Sequence, residues 1–144
     1  MALVWFVIIL ALIEYFIFSL AVGRARATYK IEAPAIIGNA DFERVYRVHM
    51  NTLEQLIMFV PSMLGFAAYV SAPWAAGLGA VYIVGRWVYF VGYKRAAKKR
   101  GIGFAISSIP VLVLMIGTLI GAGMAVYRGA APALIEHHAD DRNQ

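Results

Sequence analysis

The sequence predicts an all-α integral membrane protein, a left-handed, up-down four-helix bundle forming a single domain over residues 1–144. Three observations carry that prediction. The chain is 62% apolar and only 15% charged, whereas soluble globular domains average about 45–50% and about 25%. Its apolar residues gather in four stretches, each near the roughly 20 residues that a helix needs to cross the hydrocarbon core. Its basic residues gather between those stretches rather than within them. The mean hydropathy of +0.72 agrees. Strict alternation of apolar and polar residues is absent, which argues against barrel strands of about 10 residues.

The first helix is expected over residues 2–22. Its one charge, Glu14, is expected to pair with a polar group inside the bundle. The segment lacks a positive leading region and its apolar run is too long for a signal peptide. A connection follows over residues 23–43, punctuated by Pro34, Gly38 and Asn39. The second helix is expected over 51–72, with Glu54 near its start and Pro61 inside. The third, over 73–93, carries Arg86. A second connection covers 94–103. The fourth helix, over 104–127, is free of charge, with Pro110 as a kink like Pro61. Its Gly117-Thr-Leu-Ile-Gly121 is a small-xxx-small pair suited to a helix contact. A tail over 128–144, mostly acidic from Glu136 on and holding His137 and His138, reads as solvated.

Charge sets the orientation. Eleven of the 13 Lys and Arg residues lie in two places. Arg24, Arg26, Lys30, Arg44 and Arg47 flank the first connection. Arg86, Lys94, Arg95, Lys98, Lys99 and Arg100 occupy the end of the third helix and the connection after it. The positive-inside rule puts both basic loops in the cytoplasm and both termini on the other side, in a bacterial inner membrane or the endoplasmic reticulum. The 94–100 run reads as a solvated loop meeting anionic lipid head groups. Basic residues tied to membrane edges, without a folded reader domain, argue against nucleic acid. The absence of cysteine excludes disulfides, thiolate metal sites and a cysteine nucleophile. Three histidines, two of them adjacent near the C-terminus, argue against a histidine metal site.

Ionisable residues within apolar helices are costly and therefore candidates for function. Arg47, Asn51 and Glu54 are spaced i, i+4, i+7 and share one helical face, with Arg44 one turn earlier. Arg86, Tyr89 and Tyr93 repeat the pattern on the third helix, and a helix continuing past the membrane edge would bring Arg100 to the same face. Arg47–Glu54 and Arg86–Glu54 pairs could be structural. Taken together, though, the stripes hold several arginines and one carboxylate, Glu54. That excess suits an anionic ligand rich in oxygens, which guanidinium grips bidentately.

Two long patterns here resemble a known family. Phe42-Glu-Arg-Val-Tyr-Arg-Val-His-Met-Asn-Thr-Leu-Glu54 and Gly85-Arg-Trp-Val-Tyr-Phe-Val-Gly-Tyr-Lys-Arg-Ala-Ala-Lys-Lys-Arg100, with Gly23-Arg-Ala-Arg-Ala-Thr-Tyr-Lys30, resemble the membrane-associated proteins in eicosanoid and glutathione metabolism, the MAPEG family. The likeness is strongest to its microsomal glutathione transferase and leukotriene-C synthase branch. It implies a homotrimer binding glutathione between neighbouring subunits near the cytosolic face. It further implies that Arg100 holds the glutathione thiolate and that Arg47, Asn51, Glu54, Tyr89 and Tyr93 line the peptide. Arg26 would join from the first helix, Arg86 would lie at the pocket's base, and His49 would hydrogen-bond the ligand. Tyr93 is the alternative donor to sulfur.

The implied activity is conjugation of glutathione to lipophilic electrophiles, with peroxidase activity toward lipid hydroperoxides as an extension and no metal. A lipid-binding scaffold and an eicosanoid synthase or isomerase are the competing roles. Ala27 and Gln55 depart from the leukotriene-forming pattern and count against that reaction.

Overall fold

The computed structural model describes residues 1–96 and 100–140, with side chains described through residue 129. Among the described residues four α-helices run in order: α1 (Ala2–Tyr29), α2 (Ala40–Phe66), α3 (Ala72–Arg95) and α4 (Arg100–Asp140). A π-helical turn, Ala67–Ser71, leads from α2 toward α3. No strand occurs among the described residues. Among the described residues three stretches are long and apolar enough to cross a membrane, Ala2–Tyr29, Ala40–Arg95 and Arg100–Gly129. The middle one turns back on itself at Ser71, whose extended backbone (φ −165°) breaks the helix before Pro73 opens α3.

The helices outrun the apolar segments that predict them. Arg24–Tyr29 continues α1 beyond residue 22, because charged and alanine residues at the water boundary are good helix formers. The helix stops at Lys30, in the left-handed conformation at φ 55°. Asn39 starts α2 well before residue 51, since its side chain accepts from the amides of Asp41 (2.9 Å) and Phe42 (3.2 Å). Asp41 and Glu43 then sit in the first turn, favoured by the helix dipole. The helix continues through Pro61. The second connection is shorter than 94–103, and α4 runs on past residue 127. One expectation is overturned. α3 does not continue to Arg100, because Ala96 turns extended (φ −161°) after Arg95, and Arg100 instead opens α4. Lys98 and Lys99 lie outside the described residues, as do the side chains of His137 and His138.

Consecutive helices run antiparallel. Tyr15 meets His49 and Arg26 meets Phe42 across α1 and α2. Phe59 stacks on Tyr82 while Asn51 and Thr52 meet Arg86 across α2 and α3. The outer faces stay apolar, down to Leu119 at 75% exposure, as lipid contact requires. Between membrane helices, close packing and hydrogen bonds replace the hydrophobic drive that water supplies. Gly85 and Gly103 make the closest seam. A Cβ on Gly85 would lie 2.6 Å from the Ser107 amide nitrogen, and one on Gly103 would run into the Tyr89 backbone. α3 and α4 thus touch backbone to backbone. Gly117 and Gly121 also serve a contact, against Phe66 and Tyr69 of the same chain. Thr118 donates to the Ser62 carbonyl (2.9 Å) and Gln55 to Ser108 (3.2 Å), tying α4 to α2.

Candidate functional site

The two polar stripes meet where α2 crosses α3. Arg86 is fully buried at 0% exposure. One terminal nitrogen donates to Asn51 Oδ1 at 3.1 Å and the other to Thr52 Oγ1 at 2.6 Å. Its guanidinium lies 4.4 Å above the Tyr89 ring, a cation–π contact worth most when desolvated. The Thr52 hydroxyl in turn donates to the Val48 carbonyl at 2.7 Å, so it accepts and donates at once. Asn51 is used from both ends as well, since its Nδ2 donates to Glu54 Oε2 at 3.1 Å. A single line of hydrogen bonds therefore runs from the buried Arg86 to the exposed Glu54 carboxylate. Arg47 stands exposed one turn away on the same face.

Tyr89 and Tyr93 are buried, with ring centroids 5.6 Å apart. Arg100, exposed at the start of α4, donates to the Tyr93 hydroxyl at 3.4 Å and lies 5.4 Å from that ring's centroid. Phe104, 6.4 Å from Tyr89, braces the same corner. The Tyr93–Arg100 pairing expected from one helical face is thus achieved by two helices joined at the α3–α4 seam.

Two candidates lie elsewhere in the subunit. His49 stacks on Tyr15 of α1, with centroids 4.5 Å apart. It is two residues from Asn51 and from Arg47, about 200° around the helix, so it cannot share their face. Arg26 sits over Phe42 at 5.0 Å and donates to the Ala35 carbonyl at 2.7 Å. Phe42 and His49 are seven residues apart and share a face. Arg26 and His49 therefore both mark the α1–α2 side, away from the stripe formed by Arg47, Asn51 and Glu54.

Neither of the structural pairs with Glu54 that the sequence left open forms among the described residues. Among the described residues the ion pair present is Arg44 with Asp41, and Arg86 gives its terminal donors to neutral oxygens. Glu14 is buried at 2% exposure, but among the described residues neither oxygen has a hydrogen-bond partner, contrary to the expected pairing. It lies within electrostatic reach of Arg86 and Tyr82, whose hydroxyl is likewise unpartnered. Thr52 and Tyr82 are polar residues around Arg86 that sequence reasoning passed over. The available signal was depth, because a buried arginine demands oxygens, and α2 offers Asn51 and Thr52 at its level.

Residues 3–120 match the MAPEG family. The chain belongs to that family. Human microsomal glutathione S-transferase 2 is 40% identical over 123 residues, covering 85% of this chain and 78% of the relative. A Synechocystis protein described as uncharacterized is 49% identical over 111 residues, covering 77% and 81%. Guinea pig leukotriene C4 synthase is 39% identical over 83 residues, covering 58% and 55%. With its long apolar helices, this MAPEG chain is a membrane protein.

Proposed function

We propose that this MAPEG chain is a membrane-bound glutathione S-transferase acting on lipophilic electrophiles. The observation that carries the reading is the exposed Arg100 guanidinium at the Tyr93 hydroxyl, next to the ordered line from Arg86 through Asn51 to Glu54. Glutathione has two carboxylates and one ammonium. Arg47 and a second cation bind the carboxylates, and Glu54, held by Asn51, takes the ammonium. A free thiol has a pKa of about 8.5. Beside the Arg100 guanidinium the anion is favoured, and the thiolate is the nucleophile. Arg100 stays protonated and acts by its charge alone. Tyr93 orients it and offers a second donor to sulfur. The thiol proton leaves to water. The thiolate forms a sulfur–carbon bond as the leaving group departs with its electron pair.

In this reading four helices cross the bilayer, with basic loops and the site on the cytoplasmic side. The electrophile enters from the lipid. The chain works as a homotrimer, because Arg26 faces away from its own stripe and reaches glutathione only when a neighbour's α1–α2 side closes over it, while His49, its ring nitrogens buried against Tyr15, shapes that side from within. Detergent-corrected light scattering checks this, and a monomer that turns over at the full rate would remove it. The names of the human and bovine relatives, both microsomal glutathione S-transferase 2 at about 40% identity, support the reaction class.

The deciding experiment is conjugation of glutathione to a chloronitrobenzene by the purified chain, run beside Arg100→Ala. The substitution is expected to lower turnover on the order of 10²-fold or more, to abolish the ultraviolet signal of bound thiolate, and to leave glutathione affinity within a few-fold. Equal turnover in both proteins would falsify the thiolate assignment. An inert parent that binds glutathione would redirect the reading to lipid hydroperoxides as the second substrate.

A further inference from the structure

A groove of about 1040 Å³ lies between α1, α2 and α3 at their basic ends. It meets the stripe described above only at Arg44, since Arg47, Asn51, Glu54 and Tyr93 do not line it. Its walls are apolar. Leu20 of α1 and Val91 of α3 flank it at 50% and 42% exposure, and Phe90 is half-buried at its base. Its mouth is cationic. Arg24, Arg44, Lys94 and Arg95 surround it with one carboxylate, Asp41. That carboxylate is already engaged, by Arg44 and by the Tyr29 hydroxyl at 3.3 Å. Arg24, Lys94 and Arg95 have no acidic partner among the described residues. Lys94 marks the boundary between the two zones, its Nζ 5.9 Å from the Phe90 ring centroid.

We infer that this groove is a binding site for an anionic phospholipid of the leaflet on the basic side, its phosphate among Arg24, Lys94 and Arg95 and one acyl chain along Leu20 and Val91. A soluble anion satisfies the mouth but has no use for the apolar walls. A zwitterionic head group carries its own cation to a mouth with three in excess. The volume is at the upper end of small-ligand pockets, roughly 300–1,000 Å³, and clustered Lys and Arg at a membrane edge attract anionic lipid. The groove joins the ends of α1 and α3, so the lipid would act as a clasp between them.

The test is native mass spectrometry of the full chain in detergent, titrated with phosphatidylglycerol or phosphatidylcholine. Phosphatidylglycerol is expected to be retained about tenfold better, the scale set by a few basic side chains at a membrane edge. The triple substitution Arg24→Gln, Lys94→Gln, Arg95→Gln is expected to erase the preference. Ala21→Trp fills the groove without altering charge, and is expected to abolish retention. It keeps the inference testable if the triple variant fails to fold. Equal retention of both lipids, an Ala21→Trp protein that still holds phosphatidylglycerol, or displacement by millimolar inorganic phosphate would each overturn it. So would copies of the chain that associate in phosphatidylcholine and separate on Ala21→Trp, which would give the groove to a second copy.

Discussion

Arg86 and Arg100 are both arginines of the polar stripes, and the fold treats them oppositely. Arg86 is sealed between helices, with oxygens on two sides and a ring beneath it. Arg100 is exposed, with one long hydrogen bond, to a tyrosine, among the described residues. Burial makes the first a fixed part of the scaffold, since a desolvated cation must keep its partners. Exposure leaves the second with donors to spare for a ligand. Charge type alone does not separate a positioning arginine from a binding one. The neighbours that consume its hydrogen bonds do.

The substitution expected to do most is Arg86→Leu. It strips partners from Asn51 and Thr52 and leaves Glu14 without a nearby cation. A loss of about 3–5 kcal/mol is expected, read as a lowered unfolding midpoint in detergent. An unchanged midpoint would dissolve the contrast. Arg100→Ala is its mirror image, with turnover down as given above and the midpoint nearly unmoved. Next comes Gly103→Val, which drives a side chain into the Tyr89 backbone. Overpacking of this kind costs about 1–3 kcal/mol. By parting α3 from α4 it also separates Arg100 from Tyr93, so turnover should fall about tenfold while glutathione affinity, set by α2, is retained. A parallel loss of affinity would mean that the seam supports the whole site. Smallest is Thr52→Val, which leaves one Arg86 nitrogen unpaired for about 1–3 kcal/mol. Calorimetry should find that loss with KM for glutathione nearly constant, because Asn51 still holds Glu54.

Hydropathy located the helices well and their ends poorly. Arg24 and Arg26 end an apolar run without ending a helix, and Asn39 begins one where hydropathy is still low. The α2 stripe was legible because i, i+4, i+7 spacing is a property of one helix. Arg100 was reached by the wrong route, since nothing in the apolar pattern signals the break at Ala96. Thr52 was missed because a hydroxyl inside a helix looks unremarked until an arginine from another helix arrives at its depth. Glu14 has the reverse history. Its cost was legible, and the cation within its electrostatic reach, Arg86, turned out to be committed elsewhere.

The amide of Asn51 has a consequence of its own. It receives a proton donor on its oxygen and presents one from its nitrogen, so it works as a relay, passing a positive group's influence outward as a donor that an acid can meet. An aspartate there would satisfy Arg86 and repel Glu54. A lysine would do the opposite, and a leucine would transmit nothing. Two residues that never touch are in this way kept in fixed phase, and the position tolerates neither sign of charge.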